Sequence, residues 1–305
     1  MKQMPLIFIV GPTAVGKTDI ALLLAQRLSG EIISCDAMQV YKEVAIASDK
    51  PSVTTQELVK HHCLDSVSVS DEYNVGTYRE EALKAINDIK ARGKNAIFCG
   101  GSGMYMTVML DGIFEEVSRN PLLREKLQKQ AIVDGIGALH RKLAELDPEV
   151  AAKIHRNDAK RIIRALEVCR TAGVPMSQMQ TQRQGLWGQS PIKIFALNRD
   201  RDVLYKRVEE RVEAMFANGL VEEIKNILQM PLSTSAKTLI GIREVGGYLA
   251  EEYDLAQAKY LMKMNTRHFV KRQLTWFRRE KRVEWINIEN ESASEIVESI
   301  VKGLN

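Results

Sequence analysis

Apolar residues fall into two rhythms along the chain. Short continuous runs read as strands buried on both faces: Leu6–Val10 (LIFIV), residues 31–36 (EIISCD), residues 95–103 (NAIFCGGSG, strand into glycine turn) and Ile192–Asn198 (IKIFALN). A last run, residues 283–288 (VEWINI), predicts a closing strand. Between them apolar positions recur every three or four residues. Residues 17–29 form one such stretch, with Gly30 as its C-cap, and residues 77–93 form another that ends in glycine. Strands alternating with helices imply an α/β fold with a parallel sheet covered by helices.

The pattern changes after about residue 118. From residue 120 to residue 173 only helical spacing appears, in PLLREKLQKQAIV, IGALHRKLAELD, PEVAAKIH and NDAKRIIRALEVCRTAG. A polar stretch without clear period, PMSQMQTQRQGLWGQSP, leads back to a strand. The organisation expected is therefore a first part of the core at 1–117, a helical insertion at 118–190 and a return to the core at 191–305. Two long helices, residues 202–229 and 255–281, belong to the last part.

Composition, with 45% hydrophobic and 27% charged residues over 305 positions, is that of an ordinary globular protein. The net charge of +4 hides an uneven division. Residues 119–184 hold thirteen Lys or Arg against seven Asp or Glu, and residues 258–283 hold nine against one. The remainder is acidic. Two basic zones on an acidic chain point to a polyanionic partner, the plainer alternative being two solvated helix faces. Four cysteines without a CxxC pair speak against a zinc ribbon or a disulfide framework and for reduced cytosolic thiols. The opening apolar run is too short for a secretory signal, and no run approaches a membrane span, so a cytoplasmic protein without membrane contact is expected.

The first strand runs into GPTAVGKT, residues Gly11, Pro12, Thr13, Ala14, Val15, Gly16, Lys17 and Thr18. This is the G-x-x-x-x-G-K-[ST] spacing of a phosphate-binding loop, with a strand before it and a helix after it. Its glycines let backbone N–H groups turn onto a phosphate, and the helix N-terminus adds positive potential. Lys17 supplies a point charge and Thr18 a hydroxyl for Mg²⁺. The α/β core is thereby P-loop NTPase-like. An ordinary NTPase carries a further strand ending in Asp, but the third strand ends FCGGSG. The strand-terminal acid is Asp36, readable as a magnesium carboxylate or a general base. Strand ends of a parallel sheet line one crevice, so Asp36 and Ser102 should lie near the loop.

The order GPTAVGKT, SCDAMQVYKEV, KPS, HHCLD, CGGSGMY, NDAKRIIRALEV and VKRQLTWFRR resembles the bacterial tRNA dimethylallyltransferase family over nearly the whole chain. The resemblance implies transfer of a dimethylallyl group from dimethylallyl diphosphate to N6 of the adenosine 3′ of the tRNA anticodon. The P-loop then holds the leaving diphosphate, with Mg²⁺ on Thr18. Asp36 takes the amine proton, Ser102 positions the amine or the diphosphate, and Arg211, or its neighbour Arg207, supports the departing charge. The resemblance places the tRNA on Asp36, Ala37, Met38, Gln39 and Ser102, with Gln39 suited to a base edge. Further contacts are Arg124, Lys160, Arg161, Ile162, Ile163, Arg164, Lys271 and Arg272, beside Arg267, Arg278 and Arg279. Trp276 reads as core, with stacking on a base as the alternative, and the pair His61–His62 as structural rather than metal-binding. The chain departs from the family pattern at Ala37 (usually Ser), at IASDKP (usually IGTAKP) and at Ser102 (commonly Thr). It also lacks the zinc finger of eukaryotic relatives.

Other readings share the loop. An adenylate isopentenyltransferase would have less need of the insertion and the basic zones. A P-loop small-molecule kinase would use ATP and a lid, and a nucleotide-regulated RNA-binding protein would have no chemistry to lose. Nothing in the sequence demands more than a monomer.

Overall fold

The structure is a computed structural model and describes residues 5–114, 120–289 and 291–304. The expected boundary at residue 118 and Arg119, the start of the first basic zone, lie outside the described residues. Six strands form one sheet: β1 (Leu6–Val10), β2 (Gly30–Ser34), β3 (His61–His62), β4 (Asn95–Gly100), β5 (Ile192–Asn198) and β6 (Glu284–Asn287). Their order is β3-β2-β4-β1-β5-β6, and every pairing is parallel. The P-loop strand β1 is thus central, flanked by β4 and β5.

Helices follow in chain order. The core carries α1 (Lys17–Arg27), α2 (Val53–Leu58) and α3 (Val75–Ala91), then α4 (Gly103–Asp111) at its edge in sequence. The all-helical stretch holds α5 (Pro121–Val133), α6 (Ile136–Leu146), α7 (Pro148–Lys153), α8 (Ala159–Ala172) and α9 (Met176–Thr181). The return brings α10 (Arg201–Ala217), α11 (Leu220–Leu228), α12 (Ile242–Leu249), α13 (Leu255–Arg279) and α14 (Ala293–Lys302). The chain divides into two compact units. Leu110–Leu186 forms one, and the segments before and after it form the other.

The central strand β1 is buried end to end and its neighbour β4 nearly so, because helices cover both faces of the sheet. Phe8 and Phe98, paired in register across β1 and β4, stack with centroids 4.2 Å apart. Ile7, Ile9, Ile97, Leu197 and Phe195 join residues of α1, α10 and α14 in one core. The insertion has its own core of Leu127, Leu139, Leu143, Ile162 and Leu166.

The helix expected over 202–229 is two helices. Gly219, at φ 98, ends the continuity as N-cap of α11. The buried residues record the break: Val208, Val212 and Met215 keep one stripe, and Leu220, Ile224 and Ile227 resume it one position late. Strand β4 stops at Gly100, and α4 starts at Gly103.

Glu31 explains the histidine pair in part. Its buried carboxylate accepts from both arms of Arg92, from His62 Nε2 at 2.7 Å and from Lys94 Nζ at 2.9 Å. The Arg92 guanidinium, then His62 and Lys94, hold it well below the usual carboxylate range against the opposing effect of burial. His62 therefore fastens edge strand β3 to β2.

Candidate active site

The P-loop spans the gap between β1 and α1 as the motif requires. Ala14 (φ 62) and Gly16 (φ 107) take left-handed backbone conformations, the second open to glycine at no steric cost. The loop is braced through its carbonyls: Arg207 Nε donates to Ala14 O at 2.8 Å and Arg199 Nε to Val15 O at 2.9 Å. Arg207, the alternative to Arg211 in the sequence reading, is therefore a loop brace. Lys17 Nζ donates to Pro12 O at 2.8 Å. Burial pulls its pKa down, opposed by Cys99 and Asp36.

Thr13, Lys17, Thr18, Ser34, Asp36, Asp49, His61 and Arg211 border a polar cavity of about 50 Å³. Beside it lies an apolar cavity of about 430 Å³, walled by Met38, Met104, Met215, Leu239, Ile240, Met262, Phe269 and Trp276. Thr13, Asp36, Ser48, Arg211 and Gln273 border both. Asp36 is fixed at the end of β2 by an Asx turn, its Oδ1 accepting from Met38 N at 2.9 Å. Ser102 borders the apolar cavity with Asp36 and Ala37, and its N–H donates to Cys35 O at 3.0 Å. The parallel sheet thus brings together Asp36, Ser102 and the P-loop. Arg211 joins them from α10, its Nη1 3.0 Å from Asp49 Oδ2. Burial pulls the Arg211 pKa down, while Asp49 and Asp36 oppose it.

Two side chains do other work than the sequence suggests. Gln39, expected at a base edge, is bonded within the protein: Oε1 accepts from Ser34 Oγ at 2.8 Å, and Nε2 donates to the Ser48 and Asp49 carbonyls at 3.4 and 3.3 Å. Trp276, expected in the core, forms cavity wall, and the core position one residue on belongs to Phe277.

The basic zones are partly neutralised from within. In α13, Lys259 and Lys263 both meet Glu213 at 2.6 Å, and Arg267 meets Glu209 at 3.1 Å, both acids on α10. Lys271, Arg272, Arg278 and Arg279 are exposed and have no salt-bridge partner among the described residues. Arg272 also borders the apolar cavity and lies 5.6 Å from the Phe269 ring centroid.

In the insertion, Glu167 is fully buried and accepts from Asn120 N at 2.9 Å, Arg124 Nη2 at 2.7 Å and Arg164 Nη1 at 3.2 Å. Burial pushes its carboxyl up, but these three donors outweigh it and the net shift is down. Arg124 and Arg164 are thus counter-ions of Glu167. Ile162 and Ile163, expected to touch RNA, are core residues, because a helix shows only one face to solvent. Lys160 and Arg161 lie on the exposed face of α8.

Among the described residues no cluster of three His, Cys, Asp or Glu could hold a metal alone. The hydroxyl of Thr18 and the carboxylate of Asp36 are nevertheless hard oxygen donors on one cavity. Mg²⁺ characteristically takes one or two such groups together with phosphate oxygens and water, so the residues fit that ion.

Sequence reasoning missed the apolar wall and two fasteners. Gln273 accepts from Thr13 N at 2.9 Å and donates to Gly101 O at 3.0 Å, tying α13 to the P-loop and to the turn after β4. Glu223 takes the N–H groups of Ala45, Ile46 and Ala47 at 2.9, 2.7 and 2.8 Å. Gln273 lies within the VKRQLTWFRR stretch without standing out from it, and Glu223 lies in no motif. The signal available was an amide or carboxylate at a helical position, which is ordinarily surface.

A family model described as IPP transferase matches residues 39–280. A tRNA dimethylallyltransferase of Natranaerobius thermophilus is 41% identical over 308 residues, covering 99% of this chain and 92% of that protein. One from Thermotoga maritima is 38% identical over 301 residues, covering 98% and 97%. Among solved structures, a tRNA isopentenylpyrophosphate transferase from Bacillus halodurans shares 33% identity at a TM-score of 0.71, covering 99% of this chain and 97% of that one. A eukaryotic dimethylallyltransferase acting on tRNA shares 26% identity at a TM-score of 0.84, covering 98% and 79%.

Proposed function

The chain belongs to the IPP transferase family, and on that premise we propose that it transfers a dimethylallyl group from dimethylallyl diphosphate to tRNA. The acceptor is N6 of the adenosine 3′ of the anticodon, and diphosphate is released. The observation that carries this reading is the meeting of two unlike cavities, one polar and one apolar, on Asp36 and Arg211.

The P-loop amides and Lys17 hold the diphosphate in the polar cavity, and Arg211 sits where the allylic C–O bond breaks. Breaking it gives the carbon cation-like character and moves charge onto the diphosphate, which these fixed donors stabilise. Mg²⁺ on Thr18 supplies further neutralisation of that charge when bound. The apolar wall keeps water from the allyl carbon. The adenine amine attacks that carbon and loses a proton to Asp36, with Ser102 beside it. The base leaves the anticodon-loop stack to enter, at a cost of a few kcal/mol. Exposed Lys160, Arg161, Lys271 and Arg272 contact RNA phosphates, which makes binding salt-dependent.

The enzyme works as a cytoplasmic monomer in this reading. Supporting it, no helix among the described residues is long and apolar enough to cross a membrane, and the four cysteines are free.

The test is transfer of radiolabelled dimethylallyl groups to unmodified tRNA and to AMP, offered side by side with Mg²⁺. Label on tRNA, lost in Asp36→Ala, is the expected result. Label on AMP alone would move the reading to a small-acceptor enzyme, and ATP turnover without label would return the P-loop to an ordinary nucleotide.

A further inference from the structure

Two carboxylates border the polar cavity. Asp36 has a role in the reading above. Asp49 has none, and its charge opposes that of any anion in the P-loop. Its Oδ2 lies 3.0 Å from Arg211 Nη1. The partners differ in their access to water: the Arg211 side chain is 22% exposed and that of Asp49 58%. A guanidinium so far withdrawn from water needs an anion beside it, whereas a carboxylate that already faces solvent can be released at little cost.

The loop around Asp49 is built to hold it there. Asp49 is left-handed at φ 51, a conformation Asp tolerates, and its N–H donates to Ile46 O at 3.0 Å. Its carbonyl accepts from Gln39, and Glu223 gathers the three preceding N–H groups from Ala45 to Ala47. Lys50, next along, is bonded to Tyr41 O at 2.8 Å and paired with Asp65. The carboxylate is therefore not a wandering surface acid.

We propose that Asp49 is a displaceable counter-ion of Arg211. It holds the guanidinium at the junction of the two cavities while the P-loop is empty, and the diphosphate group takes its place on binding. Phosphate oxygens offer Arg211 charge-assisted hydrogen bonds at least as strong as those of a carboxylate, so the exchange favours diphosphate without being strongly downhill. Asp49 thereby sets how tightly the donor is held and how readily diphosphate departs. It acts through Arg211 and is a positioning residue. The inference rests on the P-loop being the diphosphate seat.

The probe is inorganic diphosphate with Mg²⁺, titrated calorimetrically into the whole protein. Asp49→Asn, which keeps shape and tolerates the left-handed backbone, should bind it about three- to tenfold more tightly. Asp49→Glu, which restores the charge, should stay near wild type. In an Arg211→Gln background the gain from Asp49→Asn should vanish. In turnover, Asp49→Asn should lower the KM for dimethylallyl diphosphate and leave the KM for tRNA unchanged. Unchanged or weaker diphosphate binding by Asp49→Asn overturns the proposal. Lys17→Ala separates the two levels. If it binds diphosphate as the wild type does, the seat itself is misassigned. If it loses binding while Asp49→Asn changes nothing, only the counter-ion role falls.

Discussion

The polar and apolar cavities lie side by side but are made in opposite ways. The polar one takes its anion-facing side from local stretches, the loop and first turn of α1, β2 with the residues just after it and the end of β4, and is completed by Asp49, His61, Arg211 and Gln273. The apolar one draws its wall from residues scattered between Met38 and Trp276, several of them single contributions from separate helices. The difference follows from what each must do. Holding an anion takes several backbone N–H groups pointing one way, which only a short, continuous, glycine-bearing segment supplies. Excluding water takes only bulk and apolarity from each side, and any helix that passes can provide one side chain.

The largest effect expected is on the polar side. Lys17→Ala removes a charge from where the leaving group gathers its own, and transfer to tRNA should fall about 10²- to 10³-fold in single-turnover assays. Affinity for tRNA, measured by filter binding, should not move. The same lysine predicts a pH effect. Its pKa is lowered by burial, so it loses its proton at lower pH than an ordinary lysine. Diphosphate affinity in the wild type should therefore weaken on raising the pH before ordinary lysine titration begins, and Lys17→Ala should lack that limb. A strong loss of tRNA binding in the variant would break the division between the two cavities.

The same division decides what was legible beforehand. Strands β1, β2, β4 and β5, the P-loop and Asp36 could be read because each is a local pattern. The edge strand β3 could not, since its two residues are too short to show any period. Helix α4 escaped because GMYMTVMLD is apolar nearly all round and shows no stripe. Ile162 and Ile163 share a motif with charged neighbours, but helical geometry assigns the two sets to different faces. The general habit of aromatics puts Trp276 in the core, while its actual wall position depends on Gly103 approaching from another element. Arg211 was found by resemblance, but its pairing with Asp49 joins residues that no spacing rule connects.

Gly103 offers a cut on the apolar side alone. A Cβ added there would sit 2.2 Å from Trp276 Cδ1 and 2.6 Å from Cγ, so the indole must move. Gly103→Ala should reduce transfer about 10- to 100-fold, as a misplacement near 1 Å does. Diphosphate affinity should remain within about twofold of wild type, since Gly103 borders the apolar cavity and not the polar one. Parallel measurement of both quantities sharpens the comparison. A joint fall would mean that the two cavities answer as one.

Gln273 is where they should answer together. Its side-chain oxygen takes the Thr13 amide of the P-loop, and its nitrogen gives to Gly101 beside the apolar wall. Its neighbours on α13 are the exposed Lys271 and Arg272 on one side and Trp276 on the other. Gln273→Leu keeps the bulk, which is 5% exposed, but leaves the part-buried Thr13 N–H and the buried Gly101 C=O without partners. Stability should drop by about 2 kcal/mol in urea unfolding, the low end of the cost of two orphaned groups. Diphosphate affinity and transfer should then fall by similar factors, about tenfold each, in contrast to Gly103→Ala, which lowers transfer alone. Equal falls would identify this amide as the shared wall. A fall in transfer alone would place Gln273 with Trp276, as part of the apolar side, and leave the P-loop held by Arg199 and Arg207 without help from α13.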